Sequence, residues 1–204
     1  MALPLRTPPI SRPLLAALVL LLAWPAQARA RATAPSRPGG GGKEKTMSLI
    51  LESSAFTHGG AIPAIYTCDG GDISPPLVWR ELPARTKSLA LIVDDPDAPD
   101  PRAPKTTWVH WVLYDLPPMV KGLSEGVQSR HLPVGTKEGR NDWKRTGYGG
   151  PCPPIGRHRY FFKLYALDVM FPDLTTPTKA VLERVMAGHI LSHAELMGTY
   201  ERHH

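Results

Sequence analysis

The chain has 204 residues, 42% of them hydrophobic, and a formal net charge of +6 at pH 7, a length that favours one domain with extensions over two full domains. The excess positive charge falls on residues 1–46, where Arg6, Arg12, Arg29, Arg31, Arg37, Lys43 and Lys45 face Glu44, and the remainder is formally neutral. A nucleic-acid-binding domain carries its basic excess on the folded part, so that class is set aside and no nucleic-acid partner is expected.

Arg6 and Arg12 precede an uncharged apolar run from Leu14 to Trp24, followed by Pro25 and Ala26-Gln27-Ala28. A positive flank, a short apolar run and a small-x-small site read as a secretory signal peptide over residues 1–28. As a helix the run would cover only about half of a ~30 Å hydrocarbon core, too little to stay as a spanning segment. Residues 29–46 hold Pro, Gly, Ser and charge without a large apolar side chain, the composition of a flexible linker. The expectation is therefore an exported protein, periplasmic or secreted, with its domain over residues 47–204. Initiation at Met47 would instead leave a complete cytoplasmic domain.

Within that domain, Ser48–Ser53, Leu77–Trp79, Ser88–Val93, Trp108–Leu116 and Tyr160–Leu167 read as strands from their β-branched and aromatic content. On strict alternation Trp108, His110, Val112 and Tyr114 share one face of their strand, and Val109, Trp111 and Leu113 share the other. Both faces of the longer strands are bulky, which predicts burial on both sides. Two helices are expected at the end. One has Thr176 as N-cap, Pro177 at its first position and Val181, Leu182, Val185 and Met186 on its apolar face. After Gly188, Ile190 to Tyr200 reads as the second, with Ile190, Leu191, Ala194 and Met197 aligned. Strands first and helices last imply a mainly β, antiparallel fold rather than βαβ alternation.

Three stretches carry candidate chemistry. The run Asp94-Asp95-Pro96-Asp97-Ala98-Pro99-Asp100-Pro101 sets carboxylates at the end of an apolar strand, with prolines fixing the backbone. It suits a carboxylate held at a pocket mouth, and equally a solvated acidic turn. His110 lies mid-strand among aromatics, where a core role competes with a ligand role. The loop Gly147 to Pro154 has little side-chain bulk, and its glycines allow backbone N–H groups to approach an anion. It leads through Gly156-Arg157-His158-Arg159-Tyr160 into the next strand. If these pieces converge, two imidazoles, a Tyr hydroxyl and loop N–H groups supply donors for oxyanion oxygens.

Cys68 and Cys152 are compatible with one bridge and with two free thiols, and export favours the bridge. His189 and His193 are spaced as neighbours on a helix, but no Glu stands between them as in H-E-x-x-H. No metal and no cofactor are expected.

Asp95–Pro99 (DPDAP), Thr107–Trp111 (TWVHW) and Gly147–Leu167 (GYGGPCPPIGRHRYFFKLYAL) resemble the signature regions of the phosphatidylethanolamine-binding protein family, also called Raf kinase inhibitor-like. Thr67–Trp79, Gly139–Trp143 and Ala187–Arg202 add to the resemblance, which covers residues 47–202 in matching order. It implies an antiparallel Greek-key β-sandwich with C-terminal helices and a shallow pocket for phosphate-like or carboxylate-like anions. By position, the resemblance implies that Asp95, Pro99, His110, Tyr148, Cys152, Pro153, His158 and Tyr160 form that pocket. It also implies that the Ala98–Pro99 bond is a candidate cis bond, and that the last helix brings Met197 and Tyr200 near. A second His of eukaryotic members is replaced here by Val109, and the segment from Pro101 to Thr107 is short. Both features look bacterial and argue against a eukaryotic-type kinase partner.

The function expected from this reading is non-enzymatic binding of a small anionic ligand or phospholipid head group, modulating signalling. Membrane contact would come only through the leader or the head group. Two alternatives stand beside it. One is inhibition of a protease or kinase, a protein target met by surface loops. The other is a Cys/His hydrolase using Cys152 with His158 or His110, although Cys152 lies between two prolines with no oxyanion-hole motif.

Overall fold

Strands with apolar side chains on both faces need a cover on each, and the fold supplies two different ones. The computed structural model describes residues 48–202. The expected signal peptide, the linker and the Met47 start lie outside the described residues.

Strands β1 (Ile50–Glu52), β2 (Leu77–Arg80) and β5 (Gly122–Leu123) form a small antiparallel sheet in the order β1-β2-β5. A second sheet has the order β6-β4-β3-β7-β8, built from β3 (Ser88–Asp95), β4 (Trp108–Leu116), β6 (Lys137–Glu138), β7 (His158–Leu167) and β8 (Ile190–Tyr200). Within it β3, β4 and β6 are neighbours in turn, and β7 returns to lie beside β3, which is the Greek-key arrangement.

One face of the five-stranded sheet packs on the small sheet. Leu89, Leu91, Val93, Trp111, Leu113, Phe162 and Leu164 share a core there with Leu51, Leu77 and Trp79. The other face is covered by α1 (Lys179–Met186) and the segment before it. There Ala90, Ile92, Val112 and Tyr114 meet Phe171, Leu182 and Met186. All eight residues of β3 are buried, as a strand between two layers requires.

The expected strands are present with small shifts: β3 runs on to Asp95, and β7 begins at His158 rather than Tyr160. The expected second helix is absent. Ile190 to Tyr200 is the edge strand β8, paired with β7 from His158↔Tyr200 to Leu167↔Ile190. Its burial follows a period of two through Ala194, Leu196 and Gly198. The helix-favouring HAELM stretch yields here to backbone pairing and burial against β7. Gly198 has a specific part, because a Cβ there would lie 2.5 Å from Ile62 Cγ1. The described fold therefore has one α-helix. It starts two residues later than expected, with Thr178 as N-cap accepting from the Val181 N–H.

Strict alternation fails at two places in β4, between Leu113 and Leu116 and at His110, and the second bears on the site. Val93 pairs with Trp111 and Asp94 with Val109, so His110 is an extra residue without a partner on β3. This bulge moves Val109 to the helix-covered face with Val112 and Tyr114, and turns His110 toward Tyr160 on the opposite one.

Candidate functional site

Consecutive side chains on a strand point to opposite faces, and the end of β3 uses this to give two adjacent acids separate duties. Asp94 faces α1, where its carboxylate accepts from Lys163 Nζ at 2.8 Å and Lys179 Nζ at 2.5 Å. Asp95 faces the other way, into a cavity of about 300 Å³ at the end of the inter-sheet core. Of the expected site residues, Asp95, Pro99, His110, Cys152, Pro153 and His158 line this cavity. Ala98, Trp108, Trp143 and Pro154 complete its wall.

The acidic loop is held from within. Asp95 Oδ1 accepts the Asp97 N–H at 2.8 Å, and Asp95 Oδ2 lies 2.7 Å from His158 Nδ1. The other ring nitrogen, His158 Nε2, is 3.0 Å from the Ile155 carbonyl. Both partners accept, so the ring makes both bonds only when both nitrogens carry hydrogen. Asp97 accepts from the Arg159 backbone N–H and Nε, each at 2.9 Å, and from its Nη2 at 2.6 Å. The Arg159 guanidinium holds the Asp97 carboxyl below its usual range. The Ala98–Pro99 bond is cis.

His110 presents a different chemistry from the one expected. Its Nδ1 lies 2.7 Å from the Gly149 carbonyl, which can only accept, so that nitrogen carries the hydrogen. Its Nε2 is buried and has no partner in the fold. Burial pushes the imidazole below its ordinary value, against the Gly149 bond and the charges of Asp95, Asp94 and Asp72. The neutral ring therefore offers an acceptor, not the donor that the sequence reading assigned to it.

Tyr148 and Tyr160 are not part of the cavity wall. The Tyr148 hydroxyl donates to the Tyr66 carbonyl at 3.0 Å, and its ring packs edge-on against Trp111. Tyr160 is buried behind the two imidazoles, edge-on to His110 and stacked near His158, with its hydroxyl unpartnered. Burial raises the titration of both phenols, so both keep their O–H. Met197 and Tyr200 also lie elsewhere: Met197 pairs with Phe161 in the sheet, and the Tyr200 hydroxyl bonds Asp69.

The Gly/Pro loop is fastened to the segment around residues 66–72. Cys68 and Cys152 form a disulfide with a Cα–Cα distance of 5.5 Å. The Cys68 N–H donates to the Pro151 carbonyl at 3.1 Å, and the Gly150 N–H donates to Asp72 Oδ1 at 2.6 Å. Since Pro151, Pro153 and Pro154 have no N–H, the Cys152 amide is the only backbone donor between residues 151 and 154. Trp143 closes one side of the mouth, edge-on to both Trp108 and His110. A Cβ on Gly149 would stand 2.6 Å from Trp143 Cζ3, so the ring's position depends on that glycine.

His189 and His193 do not share a helix face. His189 Nδ1 is 2.9 Å from Asp168 Oδ1, and His193 stacks near Tyr165. Among the described residues, no three His, Cys, Asp or Glu side chains stand together as a metal site, and no helix is long and apolar enough to cross a membrane.

Fold and site together define an antiparallel Greek-key sandwich with an acid–imidazole cavity at one end. A family model described as phosphatidylethanolamine-binding protein matches residues 52–201, and the chain belongs to that family. A UPF0098 protein of Methanothermobacter thermautotrophicus is 48% identical over 155 residues, covering 76% of this chain and 99% of the relative. Among solved structures, a putative phosphatidylethanolamine-binding protein homologue from Chlamydia trachomatis has a TM-score of 0.70 at 44% identity, covering 77% of this chain and 99% of its own. YbcL of E. coli has a TM-score of 0.69 at 30% identity, covering 76% and 99%. A carboxypeptidase Y inhibitor, solved with its proteinase, shares the fold at 21% identity and a TM-score of 0.50, covering 76% and 84%.

Of the wall, Ala98, Trp108, Trp143 and Pro154 were missed as site residues. Trp108 was legible as a neighbour of His110, two residues along the strand, and Pro154 as the next residue after Pro153. Trp143 comes from a separate loop; Gly139–Trp143 adds to the family resemblance, but its local sequence does not tie the ring to the cavity.

Proposed function

We propose that the chain is a non-enzymatic binding protein that takes a small anion, or the anionic part of a phospholipid head group, into the cavity beside His110 and His158. The observation that carries this reading is the meeting of Asp95, His110 and His158, from three strands, around one cavity with the Cys152–Pro154 loop on its rim. The cavity is at the small end of ligand sites, which suits a head group rather than a whole lipid. The Cys152 amide and the His158 imidazole, set against Asp95, provide polar character in an otherwise apolar wall. Family membership supports the same ligand class.

The disulfide and the leader-like residues 1–28 support export to an oxidising compartment. The hydrolase alternative loses its nucleophile in the oxidised chain, because the Cys152 sulfur is bonded to Cys68.

Titration with inorganic phosphate and with phosphorylethanolamine, followed by NMR of the histidine ring protons, tests the reading. Saturable shifts at His110 and His158 are expected. No shift at millimolar ligand overturns it.

A further inference from the structure

His110, a residue of the cavity wall, carries a buried ring nitrogen that the fold leaves without a partner. His110 is 2% exposed, its Nδ1–H is committed to the Gly149 carbonyl, and its Nε2 has no partner. A buried acceptor without a donor costs roughly 1–3 kcal/mol, so its persistence on a cavity wall points to a partner supplied by the ligand. We propose that the cavity selects oxyanions that bring their own acid hydrogen: the ligand's O–H donates to His110 Nε2 while its bare oxygens accept from the wall. Hydrogen phosphate and singly ionised phosphate monoesters fit this description. Sulfate and the phosphodiester of an intact phospholipid keep no acid hydrogen near neutral pH, and each meets a lone pair facing a lone pair. The ligand class proposed above is thereby narrowed to free phosphate and phosphate monoesters. This inference rests on the anion-binding reading above and adds to it the ionisation state of the ligand.

The groups around His110 explain why the ring does not simply protonate to admit any anion. Asp95 and Asp94 from β3, and Asp72 from the loop fastened by the disulfide, all favour the imidazolium, yet desolvation outweighs them. From β7, Tyr160 offers a ring edge contact at 5.2 Å, and His158 is already engaged by Asp95. From the remaining side, Trp143 stands 5.1 Å away edge-on, with the Arg145 guanidinium 5.9 Å from the centre of its ring. An anion without a hydrogen can bind only if His110 takes one proton from solvent, and that requirement makes its affinity rise as pH falls.

Calorimetric titration of the full chain with inorganic phosphate and with sulfate decides the matter, at about pH 8 and about pH 5.5 and in two buffers of different ionisation enthalpy. The expected result is phosphate binding at least tenfold tighter than sulfate at the higher pH. Sulfate should gain at the lower pH, with uptake of one proton per anion bound. His110→Gln, which can turn an amide N–H toward the ligand, should bring the two affinities together at the higher pH. Equal binding of both anions by the unaltered chain at about pH 8, or sulfate binding independent of pH, overturns the inference and leaves the anion-binding reading intact. Binding of neither anion overturns both.

Discussion

His158 Nδ1 and Asp95 Oδ2 lie 2.7 Å apart at the junction of β7 and β3, and both side chains are shut off from solvent. The pair joins the acidic loop to the start of the H-R-Y segment, and Asp95 also accepts the Asp97 N–H that gives the loop its bend. Asp95→Asn keeps the shape but removes one charge and one acceptor. Breaking a buried pair in this way costs about 3 kcal/mol, so the urea midpoint should fall markedly. An unchanged midpoint would mean that the pair contributes nothing to stability.

The buried state of His110 makes stability depend on pH in a direction that can be worked out. Its folded value is depressed below an ordinary value of about 6.5. The unfolded chain therefore binds the proton first, and stability present above that ordinary value is lost as pH falls through it. Asp97, held low by Arg159, acts in the same direction further down: its contribution is present above about pH 4 and lost as pH falls through the depressed folded value. Urea midpoints measured without phosphate or sulfate should decline from about pH 7.5 to about pH 5. His110→Gln should flatten that part of the profile and leave the decline below about pH 4 in place.

The disulfide closes a loop with a sequence separation of 84 residues. On the chain-entropy model, a loop of this length stabilises the folded chain by about 4–5 kcal/mol. Denaturation with and without dithiothreitol should separate by several kilocalories per mole. Because Cys152 is on the cavity rim, phosphate affinity should also fall on reduction. Matching unfolding curves would show that the unfolded chain gains little freedom when the bridge opens.

Gly149→Ala separates binding from stability. The new methyl would press on the Trp143 ring, which is the outer part of a 39%-exposed side chain and can move aside. The unfolding free energy should change by less than about 1 kcal/mol, while phosphate affinity falls because the wall next to His110 has shifted. Gly198→Ala is the contrasting case, since its methyl would meet buried Ile62 at 2.5 Å and Phe56 at 2.8 Å, with an overpacking cost of about 1–3 kcal/mol.

Much of this architecture could be read from local pattern. The two-faced bulk of β3 and β4 announced strands buried on both sides, and the order of motifs pointed to the family and hence to the sandwich. The site residues named from DPDAP and from the Pro-rich loop share one cavity, since rigid prolines and strand ends fix where those groups point. What local pattern missed depends on partners distant in sequence. The helix expected over Ile190–Tyr200 has sound helical spacing, and only the open edge of β7 turns it into a strand. Tyr160 shares its motif and its strand face with His158, but it lies two residues further along β7, buried behind the imidazoles. The acceptor state of His110 is set by the Gly149 carbonyl, 39 residues away, which no reading of the neighbourhood of His110 could supply.

The extra residue at His110 in β4 has a consequence for transfer and redesign. Removing one residue at that point would make the pairing with β3 regular from Val93 to Asp95 and would flatten the sheet locally. It would also send position 110 to the layer under α1, away from Asp95. The recognition capacity of this sandwich is thus encoded partly as a count of residues, and a graft of the side chains onto an unbroken hairpin would reproduce the letters without the cavity.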